Sequence, residues 1–434
     1  MKRRDFFRNT VPLFLPALIP GVSLRAWADS PFLPTASPLL RAAAHGENED
    51  RVVVLIQLNG GNDGLNTVIP LEFYDAYYKA RTNIAIPQDK VLKLQGDDKT
   101  GLHPAMPELQ QLYNTGKLAI LQGVSYPQPN FSHFRATDIW LTGADAGQIL
   151  PTGWAGRYLD EEYPQFPHNY PNAEMPDPLA VQVGSLVSPA LQGPALTMGM
   201  AISNPNSFYD LINERSASAP PTRAGDQLAY IREMAVKTDQ YAGVIRKAAQ
   251  KVIRQSDCYP AAGKNPLADQ LKIVARLVAG GLKTKFYLVS MGGFDTHARQ
   301  TDTTDTTTGA HAKLLGRLSE AINAFQDDLT GLGVDQRVIG MTFSEFGRRI
   351  QSNASGGTDH GAAAPVFIFG GKIQPGIIGQ NPTWAGNLTV NDNLAMQYDF
   401  RSVYSTLLEK WFGSAETTAQ TVLFKPYASL AFIG

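Results

Sequence analysis

Short, continuous runs of apolar residues alternate along the chain with longer segments of helical spacing. The first run, at 51–58, is followed directly by Asn59-Gly60-Gly61, which is typical of a strand buried on both faces of a parallel sheet. Residues 104–116 then carry apolar side chains at three- and four-residue steps, and 117–123 form the next apolar run. The order strand, helix, strand predicts a right-handed crossover unit.

The same alternation returns in the second half of the chain. It predicts strands at 179–183, 285–290, 337–343 and 365–369, and helices at 226–255, 268–282, 310–332 and 400–412. The proline-rich stretch 160–222 has few such runs, so we interpret about 160–282 as an inserted section of loops and helices. The fold class is therefore α/β, a doubly wound, mainly parallel sheet with helices on both faces.

The first 28 residues have the pattern of an export signal. Arg3-Arg4-Asp5-Phe6-Phe7 resembles a twin-arginine consensus, and it precedes a short apolar run from Val11 to Val22 and a cleavage pattern at Ala26-Trp27-Ala28. The run contains three prolines and is too short to span a membrane. We expect the twin-arginine export machinery as a partner and a periplasmic or secreted mature chain without a membrane span. A Sec signal that happens to contain two arginines is the alternative.

The composition is typical of a globular protein, which we expect for the 406 residues after the signal. Hydrophobic residues make up 43% of the chain, enough for a full core, and 38 Lys and Arg against 39 Asp and Glu leave no basic excess for nucleic acid. The single Cys258 excludes an internal disulfide and a multi-cysteine zinc site. Residues 29–50, rich in Pro, Ser and Ala, read as a linker, so we expect one domain over 51–434.

Polar clusters stand next to four predicted strands, at the edge of the sheet where open α/β folds bind ligands. They supply six candidate metal ligands: Asp63, Asp295, His297, Glu345, Asp359 and His360. Carboxylates and neutral imidazoles are the usual ligands of Mg²⁺, Mn²⁺ and Zn²⁺. The pattern predicts a shared polar site for one or two divalent ions, whereas each residue alone is equally typical of a turn.

Ser132 occupies a position where a helix should begin. The ordinary role of such a serine is to cap the helix. The functional alternative is a catalytic hydroxyl or an anion ligand at the helix N-terminus, with Arg135 and Arg348 steadying the anion.

Together these segments resemble the exported bacterial family called domain of unknown function 1501. The matching motifs are Gly60–Asn66, Leu102–Pro104, Ser132–Arg135, Gly153–Trp154, Gly293–His297, Ser344–Arg348 and Thr358–Gly361. They are spread over nearly all of 51–434. The resemblance implies a fold related to the alkaline phosphatase and sulfatase superfamily, but it implies no particular reaction.

The two-metal pattern of that superfamily implies roles for several residues. Asp63 stands four residues after the position of the first acid, Ser132 at the hydroxyl nucleophile, and His360 at the final histidine. Asp295 and His297 resemble an Asp/His pair with tighter spacing than usual.

The chain departs from the pattern at the next strand. Glu345-Phe346 stands where the pattern has Asp-His, so one expected histidine is absent, and Asp359 is the residue that would partly replace it. The sulfatase signature, Cys or Ser followed by x-Pro-x-Arg, is not present at 125–129, which argues against the usual sulfatase chemistry.

The leading hypothesis is an exported, alkaline phosphatase-like hydrolase that uses a divalent metal ion (Mn, Mg, Ca or Zn) on small-molecule or polymer esters of phosphate or a related acid. The alternative is a non-catalytic periplasmic binding or assembly protein that keeps the fold and a degenerate metal site, with a second exported protein as its partner. A third interpretation is a sugar- or polymer-binding module that uses Trp140, Trp154 and nearby tyrosines.

Overall fold

The computed structural model describes residues 50–204, 240–384 and 388–434. Its strands are β1 (Val52–Asn59), β2 (Val68–Pro70), β3 (Leu92–Leu94), β4 (Asp97–Leu102), β5 (Leu118–Ser125), β6 (Ala180–Val183), β7 (Met200–Ile202), β8 (Phe286–Gly292), β9 (Val338–Phe343), β10 (Ala364–Gly370), β11 (Gly376–Ile378) and β12 (Tyr398–Asp399). The predicted signal (1–28) and all of the predicted linker except Asp50 lie outside the described residues.

The α-helices are α1 (Gly64–Thr67), α2 (Tyr74–Ala80), α3 (Pro107–Asn114), α4 (His133–Thr142), α5 (Trp154–Glu162), α6 (Pro266–Ala279), α7 (Ala310–Gly331), α8 (Phe400–Thr406) and α9 (Glu416–Leu423). Residues 240–251 are also helical, and α8 continues into a π-helix over Leu407–Trp411. Short 3₁₀ turns lie at Leu71–Phe73, Gln88–Lys90, Pro189–Leu191 and Asp335–Arg337. None of the helices in the described ranges is both long and apolar enough to cross a membrane.

Nine strands form one central sheet in the order β11-β5-β10-β9-β1-β8-β6-β7, with β12 beside β5. Strand β10 pairs antiparallel with β5 and with β9, whereas the other pairings in this sheet are parallel. Strands β2, β4 and β3 form a separate antiparallel sheet. The predicted mainly parallel sheet is confirmed.

Apolar cores lie on both faces of the central sheet. Along β1, Val52, Val54 and Ile56 pack into the core that contains α3, α6 and α7. Val53 and Leu55 point the other way, into the core that contains α4, α5, α8 and α9. A strand buried on both faces needs apolar residues throughout, which is why its sequence shows no alternation.

The predicted elements agree with the observed ones to within a few residues in most cases. The predicted helix 310–332 is α7, and the predicted strand 285–290 is β8. Strands β6 and β7 lie inside the predicted insertion yet extend the central sheet. Of the predicted helix 226–255, residues 226–239 lie outside the described ranges. The pattern missed the antiparallel sheet entirely, because β2 and β3 have only three residues each and β4 is largely polar.

Candidate metal centre

Loops at the carboxyl edge of the central sheet bring histidines and carboxylates together. Three of these loops follow β5, β8 and β9. The fourth precedes β10, whose first residues lie at the same edge because this strand runs antiparallel. The side chains that meet here are His133, Asp295, His297, Glu345, Asp359 and His360. Five of the six candidate ligands from the sequence are among them.

The centre of this cluster is a trio of donor atoms on Asp295, His297 and His360. Nε2 of His297 lies 2.8 Å from Nε2 of His360. Oδ1 of Asp295 lies 3.1 Å from the first nitrogen and 3.3 Å from the second. All three side chains remain partly open to solvent, so the trio is accessible from outside.

Both histidines of the trio are held through their other ring nitrogen. Nδ1 of His297 lies 3.0 Å from Oδ1 of Asp359, and Nδ1 of His360 lies 2.8 Å from the carbonyl oxygen of Phe131. A carbonyl or an ionised carboxylate only accepts hydrogen bonds, so the hydrogen of each neutral ring is on Nδ1 and Nε2 carries a lone pair. Two lone pairs 2.8 Å apart repel unless a proton or a metal ion lies between them.

The charges around the trio are compatible with a bound metal ion. Burial lowers the pKa of His360, and the charge of Arg348 opposes its protonation further. Burial alone would raise the pKa of Asp295, but its hydrogen bond to Arg348 and the charge of that residue bring the pKa below the usual value. Asp295 is therefore an anion at neutral pH beside a histidine that resists a proton. This donor set fits a divalent ion, with each histidine oriented as metal-binding histidines usually are.

Glu345 lies behind the trio and holds His133. Its Oε1 is 2.8 Å from Nδ1 of His133 and accepts a hydrogen bond of 2.8 Å from the backbone N–H of Gly60. Gly60 has φ +123°, and a Cβ there would lie 2.3 Å from the backbone nitrogen of Asp295. Only glycine allows the loop after β1 to approach the loop after β8 so closely.

Arg348 is fully buried and fixes the loops around Asp295. It donates to Oδ1 of Asp295 at 2.7 Å. Its other bonds go to the backbone carbonyls of Gly61 (2.7 Å), Thr358 (2.8 Å) and Phe294 (3.0 Å). These contacts engage all three guanidinium nitrogens in positioning the site, so the side chain faces the protein and not a substrate.

Ser132 occupies the N-cap position of α4, but its side chain makes no capping hydrogen bond. The residue is exposed, and its backbone carbonyl accepts the N–H of Ala136 at 2.8 Å. It stands between Phe131, whose carbonyl holds His360, and His133. Ser132 therefore borders the cluster with its hydroxyl free of a capping role.

Asp63 and Arg135 belong to other networks. Both oxygens of Asp63 accept from Nη1 of Arg81, at 2.9 and 2.7 Å, and Oδ2 also accepts from Gln300 at 2.6 Å. Arg135 pairs with Asp138 and donates to backbone carbonyls of the loop after α4. The structure does not bring either residue into the cluster, because each has its charge balanced where it lies.

The tryptophans of the sugar-binding interpretation are core residues. Trp140 is 3% exposed and stacks on Phe400 at 4.4 Å, and Trp154 is 1% exposed and stacks on Tyr404 at 4.1 Å. Neither ring can form a binding platform at the surface. The two tryptophans therefore do not support that interpretation.

Sequence reasoning missed His133 as a member of the cluster. The signal was present: a histidine directly after Ser132, at the start of a helix that follows a strand of the same sheet edge. The buried Phe346 also takes part, with its ring centroid 4.9 Å from that of His133 and 4.5 Å from that of His360. At the position where the two-metal pattern has a histidine, this chain has the apolar ring of Phe346, which packs against His133 and His360.

The fold and the cluster define a mainly parallel α/β protein with a histidine–carboxylate centre at the carboxyl edge of its sheet. Residues 210–423 match the sequence family described as "Protein of unknown function (DUF1501)". The match confirms, over these residues, the family resemblance that the motifs indicated. No curated protein sequence gave a significant match.

Solved structures with a similar path of the chain include a sulfatase, a periplasmic domain and an alkaline phosphatase. The PsFucS1 sulfatase from Pseudoalteromonas sp. is 12% identical, with 90% of this chain and 72% of that chain covered and a TM-score of 0.39. The C-terminal periplasmic domain of EcEptC from Escherichia coli, in complex with Zn, is 10% identical over 74% and 73%, with a TM-score of 0.32. Alkaline phosphatase from the Antarctic bacterium TAB5 is 10% identical over 74% and 91%, with a TM-score of 0.28. Likeness at this level carries no conclusion about the activity of this chain.

Proposed function

We propose that this protein is an exported, metal-dependent hydrolase of phosphate or related esters. The observation that carries the proposal is the convergence of Nε2 of His297, Nε2 of His360 and Oδ1 of Asp295 within 3.3 Å of one another. These three residues would hold a divalent ion. When bound, such an ion supplies positive charge that polarises an ester oxygen. The choice of ester class rests on the motif resemblance to the alkaline phosphatase superfamily.

The chain's own groups around this trio suit ester hydrolysis. The hydroxyl of Ser132 makes no capping hydrogen bond and lies at the amino end of the ten-residue helix α4. Backbone N–H groups at this end of a helix favour an anionic substrate. We assign Ser132 the role of nucleophile or of the group that orients the attacking water. Arg348 keeps Asp295 ionised and in place. The buried ring of Phe346 keeps water away from the inner side of the histidines.

One ion, and not two, fits the arrangement. The carboxylates that a second ion would use are already occupied: Asp63 by Arg81 and Gln300, and Glu345 by His133 and Gly60. Phe346 stands where the two-metal pattern has a further histidine. We therefore assign Asp359 and Glu345 to the support of histidines and Asp63 to the buried core.

Elemental analysis tests the proposal directly. The protein, purified without chelator from a host with working twin-arginine export, should carry about one equivalent of a divalent metal. The double variant Asp295→Ala/His360→Ala should carry none and stay folded, whereas His168→Ala, a matched change at an exposed histidine outside the cluster, should keep its metal. Metal content equal in all three proteins, or absent from the wild type, would contradict the assignment. A wild type with metal should then hydrolyse simple phosphate esters, and the double variant should not.

A second candidate, a binding protein that retains a single cation site, is favoured by one observation. Arg135 and Arg348, the two arginines expected to steady a substrate anion, are both engaged by the protein itself. This candidate predicts a stoichiometric metal without turnover of phosphate, phosphodiester or sulfate esters. Turnover that disappears together with the metal would exclude it.

Export is the other part of the proposal, and it rests on Arg3-Arg4-Asp5-Phe6-Phe7. Changing both arginines to lysine should leave the unprocessed chain in the cytoplasm, because the twin-arginine machinery reads this pair. Unchanged export of that variant would favour the Sec alternative.

A further inference from the structure

We infer that His133 is a fourth ligand of the proposed metal centre, so that the ion is held by three imidazole nitrogens and one carboxylate. This inference rests on the proposed metal site and extends it. It also narrows the metal, since a set dominated by nitrogen selects zinc-like transition ions over Mg²⁺ and Ca²⁺, which prefer oxygen ligands.

The first argument is position. Nε2 of His133 lies 3.6 Å from Oδ2 of Asp295, whereas the other two histidines contact Oδ1 of the same carboxylate. Ligand-capable atoms of His133, Asp295 and His360 all lie within 4.8 Å of one another. Ligand atoms around a four-coordinate ion are about 3.3 Å apart, given metal–nitrogen distances near 2.0–2.1 Å. A shift of at most about 1.5 Å would therefore bring the atoms of these three residues to that spacing.

The second argument is orientation. Nδ1 of His133 faces the buried Oε1 of Glu345 at 2.8 Å, so its hydrogen lies on Nδ1 and its Nε2 is free to bind. In the neutral rings, Asp359 provides the same arrangement for His297 and the Phe131 carbonyl provides it for His360. In each of the three histidines, Nδ1 is hydrogen-bonded to the protein and Nε2 faces Asp295. This is the arrangement that metal-binding histidines usually have.

The third argument is rigidity. His133 is the first residue of α4, and Glu345 is only 3% exposed and receives a further bond from the backbone of Gly60. The ring also contacts those of Phe346 and His360, at 4.9 and 4.4 Å between centroids. The side chain is thus already fixed near the position it needs, and little conformational entropy is lost when it binds.

The competing explanation is a purely electrostatic role, with a protonated His133 bridging the carboxylates of Glu345 and Asp295. Both explanations use the same contacts, but they differ in what happens at the metal. If His133 only bridges the two carboxylates as an imidazolium, its removal leaves the coordination of the ion unchanged.

Cobalt(II) distinguishes the two explanations, because its visible absorption reports the number and type of ligands. The metal-free protein, prepared with a chelator, is titrated with CoCl₂ alone. The wild type should bind one equivalent and show the strong visible bands of a four-coordinate site. His133→Ala should bind at least about 10-fold more weakly and show weaker bands, as water replaces a nitrogen ligand. Glu345→Gln should lose about 10- to 100-fold in affinity, the usual cost of a lost supporting hydrogen bond, and keep the four-coordinate spectrum.

Phe134→Ala is the matched control, since Phe134 is the next residue of α4 and is 91% exposed. It should bind Co²⁺ as the wild type does. An unchanged spectrum and affinity in His133→Ala, with binding lost in Asp295→Ala, would overturn the role of His133 and leave the metal site standing. Failure of the wild type to bind Co²⁺ would overturn both. Circular dichroism of each variant checks that it is folded, and Mg²⁺ that competes with Co²⁺ at equal concentration would contradict the nitrogen-rich set.

Discussion

Two groups of histidines and carboxylates stand near the carboxyl edge of the sheet, and they balance their charges in opposite ways. In the buried group, Asp63 and Arg81 pair at 2.7 Å with both side chains at most 1% exposed. In the half-exposed group, Asp295 meets Arg348 but also faces Nε2 of His297 and of His360. In the first group the protein itself neutralises the carboxylate, whereas we propose that a cation completes the second. Residue type alone therefore does not tell the two groups apart.

The buried group owes its charge states to burial. Burial would raise the pKa of Asp63, but the charges of Arg81 and His311 and the hydrogen bonds from Arg81 and Gln300 together lower the pKa below the usual value. Burial lowers the pKa of His311 to about 4, although Asp63 opposes this shift. Nε2 of His311 lies 3.0 Å from Oδ1 of Asn62, so the neutral ring bonds directly behind the loop that carries Asp63. This group holds the loop after β1, and both oxygens of Asp63 are engaged by Arg81.

The sharpest test of the contrast is to remove the buried arginine. Arg81→Met should lower the free energy of unfolding by about 3–5 kcal/mol, because Asp63 is left as an uncompensated buried charge. Urea denaturation measures the loss. Arg254→Met is the matched control: Arg254 pairs with Asp257 at 3.0 Å, but both side chains are more than 80% exposed, so its loss should stay within about 0.5 kcal/mol. Equal losses in the two variants would contradict the expectation that the buried pair contributes more to stability than an exposed pair.

Lowering the pH should destabilise the folded protein through protonation of His311 in the buried group. Its pKa is about 4 in the folded protein and 6.5 ordinarily, so the unfolded chain binds more protons between these values. Its contribution is complete above about pH 6.5 and is lost as the pH falls toward 4. The loss is on the order of 3 kcal/mol. Unfolding free energies of wild type and His311→Gln, measured from pH 7 to 4 with metal removed, should converge as the pH falls. A constant difference between them would contradict this account.

Removing the metal should affect only the exposed group. With metal at 100 times its dissociation constant, the wild type should gain about 2.7 kcal/mol over the chelated protein and unfold at a higher temperature. Asp295→Ala should show no such gain. Without metal, Asp295→Ala should be less stable than the wild type, because the fully buried Arg348 loses its carboxylate partner. A metal-induced rise in the melting temperature of Asp295→Ala would place the ion elsewhere.

The sequence predicted the strands of the central sheet better than their directions. β1 is recognisable because burial on both faces requires Val52–Leu58 to be almost wholly apolar. β10 looks the same in sequence, although it runs antiparallel, because direction leaves no mark on a buried strand. β4 carries Asp97, Asp98 and Lys99 at its exposed end and so has no apolar pattern to read.

The candidate site shows the same division. Asp295 and His297 could be predicted because they directly follow a buried strand. The position of Asp63 outside the cluster could not be predicted, because its partner Arg81 is 18 residues away and the pairing depends on how α2 packs. His133 was missed because the helix that it begins is positioned by tertiary contacts. Proximity to a strand end locates the candidates, but only the fold decides which charges are already satisfied.

The smallest effect on stability should come from Ser132, at the rim of the exposed group. Replacing a serine N-cap with alanine usually costs about 1 kcal/mol, but this side chain makes no capping bond, so Ser132→Ala should cost less than about 0.5 kcal/mol. Metal content should be unchanged, because Ser132 is not among the proposed ligands, whereas ester hydrolysis should fall sharply. Urea denaturation, elemental analysis and initial rates on one preparation provide the three measurements. A loss of about 1 kcal/mol with hydrolysis intact would make Ser132 an ordinary cap and assign the chemistry to the metal centre alone.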